Sequence, residues 1–468
     1  MARYDLVVIG SGPAGEKGAT QAAYFGKKVA LVEKARALGG AAANAGTISS
    51  KTLRETALYL SGFRQRGLYG VNMKLDHTVT VRDLLFRERV VKDRERDRVG
   101  WNLQRHGVDV VRGEARFVDA HRLAVRAPEG ESVLETEHVL IATGSSPARP
   151  ATFPFESDRV HDSDELVNLE AIPRRMAVVG GGVIGCEYAC MFQALGVEVT
   201  LVEGRERMLG FLDTEVSDKL VERMQAMGIQ LRKPDQVERC DAPAGEPIRL
   251  QLKSSGVLEV DQVLVAAGRS GNTASLALEA VGLKPNVRGH LEVNDRFQTA
   301  VPTIYAAGDV IGFPALASTS MEQARIAVVH AFDLKYKTSL APVLPYGIYT
   351  IPEVSMAGAT EQELQEKKVP YVAGRASFGM NARGQIIGDD SGMLKLLFDR
   401  EHMKLLGVHV IGETATELVH VGLTALLQGA TADLFIQTCF NYPTLSETYK
   451  YAAYDALGAR AKASPQGP

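Results

Sequence analysis

The sequence is poor in cysteine. Only four occur in 468 residues, at Cys186, Cys190, Cys240 and Cys439, too few for a disulfide framework. It is also poor in net charge. Fifty-three Lys and Arg against 56 Asp and Glu leave −3, which speaks against nucleic acid or a membrane surface as a partner. No apolar run approaches the roughly 20 residues of a membrane-spanning helix. Met1-Ala2-Arg3-Tyr4-Asp5 leads straight into an apolar run, so no secretory leader is expected and a cytoplasmic protein is. Cys186 and Cys190 lie one turn apart on an expected helix, a poor geometry for a disulfide, so buried packing is their expected role. No metal site is expected. The length implies two to four domains.

Glycine, by contrast, stands at telling places. Leu6-Val7-Val8-Ile9 reads as a buried parallel strand. Gly10-Ser11-Gly12-Pro13-Ala14-Gly15 follows, then an Ala-rich helical stretch to Gly26 and a second strand, Val29 to Glu33. This is the dinucleotide fingerprint in its required strand–turn–helix–strand context. Gly10 permits the tight turn, Gly12 lets backbone approach a pyrophosphate, and Gly15 lets the helix pack on the sheet. Pro13 suits the first helical turn, and the helix N-terminus offers free N–H groups to phosphate. Glu33, 23 residues after Gly10, is placed to accept from a ribose.

A second copy opens with Met176 to Val179 and Gly180-Gly181-Gly182-Val183-Ile184-Gly185, and its strand ends at Glu203, again 23 residues on. Two fingerprints predict two dinucleotides. Two nicotinamide sites satisfy the pattern, and FAD plus NAD(P) satisfies it more economically. Glu203 favours NAD(H), because a carboxylate repels a 2′-phosphate. Arg205 and Arg207 follow, and an arginine fork pairs with that phosphate, so NADP(H) stays open.

Between the copies, residues 82–105 carry Arg82, Arg87, Arg89, Arg94, Arg96 and Arg98 among acids, read as a solvated helix face laced with ion pairs. Alternation from Asp109 to Leu140 predicts a small antiparallel strand set. Pro147, Pro150 and Pro154 mark a linker. Beyond the second copy, Asp261 to Gly268 reads as another buried strand, and Asp309 follows Thr303 to Gly308, where an N-cap is the plain alternative to a ligand role. From Pro342 the character changes, and Ala461 to Pro468 reads as a disordered tail.

Gly39-Gly40-Ala41-Ala42-Ala43-Asn44-Ala45-Gly46-Thr47-Ile48-Ser49-Ser50-Lys51 resembles the redox-disulfide segment of the pyridine nucleotide–disulfide oxidoreductases. There two cysteines flank four residues and Pro-Ser-Lys follows. Here the cysteine positions hold Ala42 and Thr47, which form no thiolate, and the proline position holds Ser49. At the other end, Phe440-Asn441-Tyr442-Pro443-Thr444 with Glu447 places Tyr442 where the family has its His base. A phenol is a poor base at neutral pH. Thiols and thiol base are missing together, which points to a different electron acceptor.

The resemblance spans nearly the whole chain. Gly182 to Ala189, Gly268 to Thr273 and Tyr346 to Glu353 draw it toward the soluble pyridine nucleotide transhydrogenase branch. It implies an α/β fold of two Rossmann-like three-layer domains and a C-terminal α+β dimerisation domain. Its divisions are an FAD domain at 1–150 and 273–341, an NAD(P) domain at 151–272, a dimerisation domain at 342–460 and a tail at 461–468. It implies a homodimer. For FAD it implies Gly10, Gly12, Pro13, Ala14 and Gly15, with Glu33 and Lys34, then Gly40, Thr47 and Lys51, then Ala115, Thr143 and Gly144, and last Asp309 and Ala317. For NAD(P) it implies Gly180, Gly182, Val183, Ile184 and Gly185, with Glu187, Glu203, Gly268 and Arg269. Lys51 and Glu187 are implied as an ion pair beside flavin N5, and Tyr442 and Glu447 as further catalytic positions. The implied reaction passes hydride from NAD(P)H through the flavin to a second nicotinamide. An NAD(P)H diaphorase or oxidase, and an FAD-binding protein with little turnover, are the alternatives.

Overall fold

In the computed structural model, residues 2–62, 68–69 and 79–463 are described. The first sheet contains β1 (Ala2–Ile9), β2 (Val29–Glu33), β3 (Asp109–Arg112), β4 (Glu114–Asp119), β5 (Arg122–Ala127) and β6 (Gly130–Ile141), in the order β3-β2-β1-β6-β5-β4. Strand Ile304–Ala306 joins β6 in parallel. Every residue of β2 is buried, as expected for a strand covered on both faces. The alternating stretch after Asp109 divides: β4, β5 and β6 are antiparallel, whereas β3 pairs parallel with β2. β6 also continues beyond its hairpin as a parallel neighbour of β1, which delivers Thr143 and Gly144 to the carboxyl end of the sheet.

Helix α1 (Pro13–Tyr24) connects β1 to β2. The short α2 (Gly40–Asn44) and α3 (Thr47–Ser61) carry the segment that resembles the disulfide region. The arginine-rich stretch forms α4 (Val81–Arg105), opened by a Thr80–Asp83 capping box. Arg98 pairs with Glu95 and with buried Glu16 on α1, so this face carries ion pairs as expected.

The second fingerprint builds a parallel sheet of Gln230–Arg232, Glu198–Val202, Arg175–Val179, Gln262–Val265 and Val160–Asp162, side by side in that order. It carries α5 (Val183–Ala194) and α6 (Thr214–Ala226). The proline-marked linker and the return from the second sheet are one structure: Ser145–Pro147 pairs antiparallel with Arg269–Gly271.

The third sheet is antiparallel, ordered Tyr346–Ile348, Glu353–Gly358, Leu405–Gly412, Met393–Asp399 and Tyr371–Ser377. The last helix, Thr448–Ala463, lies on Tyr371–Ser377. A Cβ on Gly374 would stand 1.9 Å from the Ala452 carbonyl oxygen, so only glycine admits this approach. The helix extends through Ala463, three residues into the stretch read as a tail, and 464–468 lie outside the described residues.

One apolar core runs through all three parts. Leu53 and Leu84 from the first, Cys186 and Tyr188 from the second, and Ile351 and Ile411 from the third belong to the same buried cluster. A polar joint reinforces it. Lys395, fully buried on Met393–Asp399, meets Asp213 at 2.8 Å, Glu215 at 2.9 Å and Glu361 at 2.5 Å. Asp213 also caps α6 and accepts the Glu361 N–H at 3.0 Å. These three carboxylates have the grouping of a cation site, and the lysine ammonium sits among them.

Candidate active site

Each fingerprint turns where its glycines require. Gly10 and Gly180 have φ of 102° and 110°, open to glycine at little cost. A Cβ on Gly15 would lie 1.8 Å from the Gly10 oxygen, and one on Gly185 1.9 Å from the Gly180 oxygen. Those two glycines therefore seat α1 and α5 against their turns. Gly12 and Gly182 are the N-caps, without side-chain caps, so first-turn N–H groups stay free for an anion.

A cavity of about 950 Å³ starts at the first turn and ends between the three parts. Most of the residues implied for FAD line it: Gly10, Gly12, Pro13 and Ala14, Glu33 and Lys34, Gly40, Thr47 and Lys51, Ala115, Thr143 and Gly144, Asp309 and Ala317. Gly15 stands behind this wall. Of the nicotinamide set, Val183, Ile184, Glu187 and Arg269 reach the same cavity, while Gly180, Gly182, Gly185, Glu203 and Gly268 do not line it. Tyr442 and Glu447 are not in the wall either. Tyr442 is 74% exposed and Glu447 is half-buried.

At the far end of the cavity, Lys51 from α3 meets Glu187 from α5, Nζ to Oε2 at 2.5 Å. The other oxygen, Oε1, accepts the Tyr349 N–H at 2.8 Å, and Lys51 Nζ lies 4.9 Å from the Tyr349 ring centre. One ion pair thus draws a partner from each part of the chain. Glu187 is buried, where a lone carboxylate would be costly, and both of its oxygens are engaged. Tyr349 fell within a stretch singled out by sequence, but its contribution is a backbone N–H, which no residue type announces.

A second relay runs along the paired linker strands. Asp309 Oδ2 accepts the Ser145 hydroxyl at 2.8 Å. Ser145 Oγ in turn accepts from Arg269 Nε at 2.8 Å, and Arg269 forks onto Asp164 at 2.8 and 3.2 Å. Gly308, not Asp309, caps the short helical turn that follows. Asp309 therefore faces the cavity as a carboxylate rather than serving as a cap.

At the segment resembling the disulfide region, Ala42 and Thr47 line the cavity, and no cysteine does so among the described residues. Ser49 is buried and donates to Glu88 Oε1 at 2.7 Å, a hydrogen bond that a proline at this place could not make. Cys186 and Cys190 are free and fully buried. Burial pushes both thiols up, Cys190 to about 12, which leaves them inert as thiolates.

A model of the pyridine nucleotide-disulphide oxidoreductase family matches residues 4–330, and one of that family's dimerisation domain matches 344–453. The chain belongs to this family. It is similar to a soluble pyridine nucleotide transhydrogenase of Mycobacterium tuberculosis, with 46% identity over 98% of each chain. It is 41% identical to the protein of that name from Escherichia coli, over 97% of this chain and 98% of that one. Among solved structures, LpdA of Mycobacterium tuberculosis superposes with a TM-score of 0.89 at 27% identity, covering 97% of this chain and 99% of that one. The flavoprotein disulfide reductase RclA of Escherichia coli does so at 0.87 and 27%, covering 96% and 99%.

As a member of the family the chain is an FAD-dependent pyridine nucleotide oxidoreductase, and the cavity fits that flavin nucleotide. Thr143 Oγ1 is buried in its wall with no hydrogen-bond partner among the described residues, a group that calls for a ligand. A Cβ on Gly40 would stand 2.8 Å from the Gly12 Cα in that wall, so glycine is required where the turn meets α2.

Proposed function

We propose that this enzyme exchanges hydride between NAD(P)H and a second nicotinamide nucleotide, and that it does so without a dithiol. The observation that carries the reading is the wall at Ala42 and Thr47. With no thiol there, electrons have no covalent route out, so the acceptor must itself come to the flavin. The relatives named soluble pyridine nucleotide transhydrogenases support the same reading.

When bound, FAD supplies the two-electron relay between donor and acceptor. The chain supplies position and charge. Free N–H groups at Val183 and Ile184 hold a pyrophosphate at the start of α5, and Glu203 addresses the adenosine ribose. Thr143 and Asp309 offer hydrogen bonds along the flavin nucleotide. Lys51 holds a positive charge where negative charge develops. Glu187 fixes that ammonium, and the Tyr349 N–H fixes Glu187. Donor and acceptor share one site in this scheme, so turnover is ping-pong.

An anaerobic experiment tests it. NADPH should bleach the flavin band, and a thio-analogue of NAD should then restore it stoichiometrically. Bleaching relieved only by a quinone or air would replace this reading with a diaphorase or oxidase. No bleaching by NADPH or NADH would leave an FAD-binding protein.

The domain divisions are proposed as read from sequence: FAD at 1–150 and 273–341, NAD(P) at 151–272, dimerisation at 342–460. We further propose a cytoplasmic homodimer in which Tyr442 and Glu447 act across the subunit boundary, Tyr442 as a hydrogen-bond donor. In support, Tyr442, Tyr451, Tyr454 and Leu434 leave large apolar side chains exposed near the C-terminus. Light scattering should return the mass of two chains, and that of a single 50.5 kDa chain would refute the dimer. No helix among the described residues is long and apolar enough to cross a membrane.

A further inference from the structure

The two fingerprints of this chain can be compared with each other, atom for atom. In each, a glutamate ends the second strand and accepts two backbone N–H groups. Glu33 Oε2 takes that of Ser11 at 2.9 Å and Oε1 that of Ala35 at 2.8 Å. Glu203 Oε2 takes that of Gly181 at 2.7 Å and Oε1 that of Arg205 at 2.9 Å. The backbones agree, and the side chains differ at two places: Glu33 Oε2 also takes the Ser11 hydroxyl at 2.6 Å, where Gly181 has none to offer, and the residue two past the glutamate is not the same. Ala35 has nothing to send back. Arg205 folds over the carboxylate, Nε to Oε1 at 3.0 Å and a terminal nitrogen to Oε2 at 3.0 Å.

Four donors thus occupy the carboxylate of Glu203, about its full capacity. A ribose diol that is to bind Glu203 must first lift the guanidinium away. That step is easy, because the Arg205 side chain is 65% exposed while Glu203 is 6%, and a solvent-facing ion pair holds weakly. Arg207 is turned elsewhere and donates to Thr214 Oγ1 at 2.6 Å. Lys233 donates to the Glu206 carbonyl. Of the two arginines read from sequence as a fork, only Arg205 addresses the carboxylate.

We propose that Arg205 is the residue that lets this one subsite take nucleotides both with and without a 2′-phosphate. Lying on Glu203, it closes the subsite. Displaced by a ribose diol, it leaves a carboxylate suited to NAD(H). Turned outward, it presents two parallel N–H groups to a 2′-phosphate, and its positive charge offsets the repulsion that Glu203 alone would exert. The inference rests on the proposed function, and its test is separate, because it needs no hydride transfer.

The flavin-loaded protein is titrated with 5′-AMP and with 2′,5′-ADP, two fragments that lack nicotinamide. The wild type should bind both within about tenfold. Arg205→Ala should lose roughly 100-fold toward 2′,5′-ADP, in keeping with a lost charge-assisted pair, and should bind 5′-AMP as well as before or better. Arg207→Ala should change neither by more than about twofold. Arg205→Gln, which keeps length and polarity without charge, should behave as Arg205→Ala, and the flavin spectrum reports that each variant is folded. Equal loss of both fragments would make Arg205 a structural residue and overturn the inference, as would no loss of either, or a wild type that binds neither. Failure to reduce thio-NAD with the 100-fold loss intact would sink the transhydrogenase reading and leave Arg205 its role.

Discussion

Lys51→Met should slow flavin reduction by NADPH by roughly 100- to 1,000-fold, the scale on which one preorganised electrostatic group acts. Methionine keeps the length and apolar stem of lysine and removes the charge. It also strands Glu187, a buried carboxylate left with the Tyr349 N–H alone. The site would then carry a negative charge where a positive one belongs. The KM for NADPH should shift by no more than about threefold, because the proposed pyrophosphate contacts are backbone N–H groups at the start of α5, which the substitution leaves in place. Glu187→Gln in the Lys51→Met background should cost little more, since the two residues act as a unit. Stopped-flow absorbance measures all of this. A reduction rate within about threefold of wild type would make Lys51 an ordinary charge at the cavity edge.

The second large effect is on stability. Lys395→Met should destabilise the protein by about 3–5 kcal/mol, the usual cost of removing one partner from a buried charge group. At roughly 1 °C per kcal/mol for a chain of 468 residues, that lowers the thermal transition by about 3–5 °C. The methionine fills the space, but Asp213, Glu215 and Glu361 lose the ammonium among them, and Arg375 is left to pair with Glu215 and Glu361 alone. The deficit should fade in acid. Burial pushes the Glu215 carboxyl up, and Arg375 and Lys395 more than reverse this, holding it at about 2. A depressed carboxyl contributes stability that is present above its unfolded value of about 4.5 and lost as pH falls toward its folded value. Wild type should therefore lose its advantage over the variant between about pH 4.5 and 2. Thermal melts across that window decide the matter, and a gap that stays constant or widens on acidification would remove Lys395 from this role.

The sequence was most legible where stereochemistry leaves one choice. Gly10 and Gly15 could be assigned separate tasks because one needs a positive φ and the other the absence of a Cβ, and Gly180 and Gly185 repeat both. Glu33 and Glu203 could be placed because a strand end has a known address. The Lys395 group could not be found this way. Its members come from residues 213, 215, 361 and 395, and a lone lysine in an apolar strand carries no mark of its partners. Ser49 and Glu88 were hidden for the same reason. Ser49 read as a departure from a proline, whereas in the fold it is a donor to a buried carboxylate on another helix. Ser145 carried no mark of its partners either, and only the pairing of Ser145–Pro147 with Arg269–Gly271 brings it between Asp309 and Arg269.

The three-way meeting at Glu187 also sets the order in which the enzyme can mature. A ribosome releases the chain from its N-terminus, so Lys51 emerges first and Glu187 next, with the Tyr349 N–H about 160 residues later. Until then Glu187 Oε1 lacks its backbone donor, and Lys51 is held from one side only. The group around Glu187 is therefore complete only once residue 349 has joined the fold.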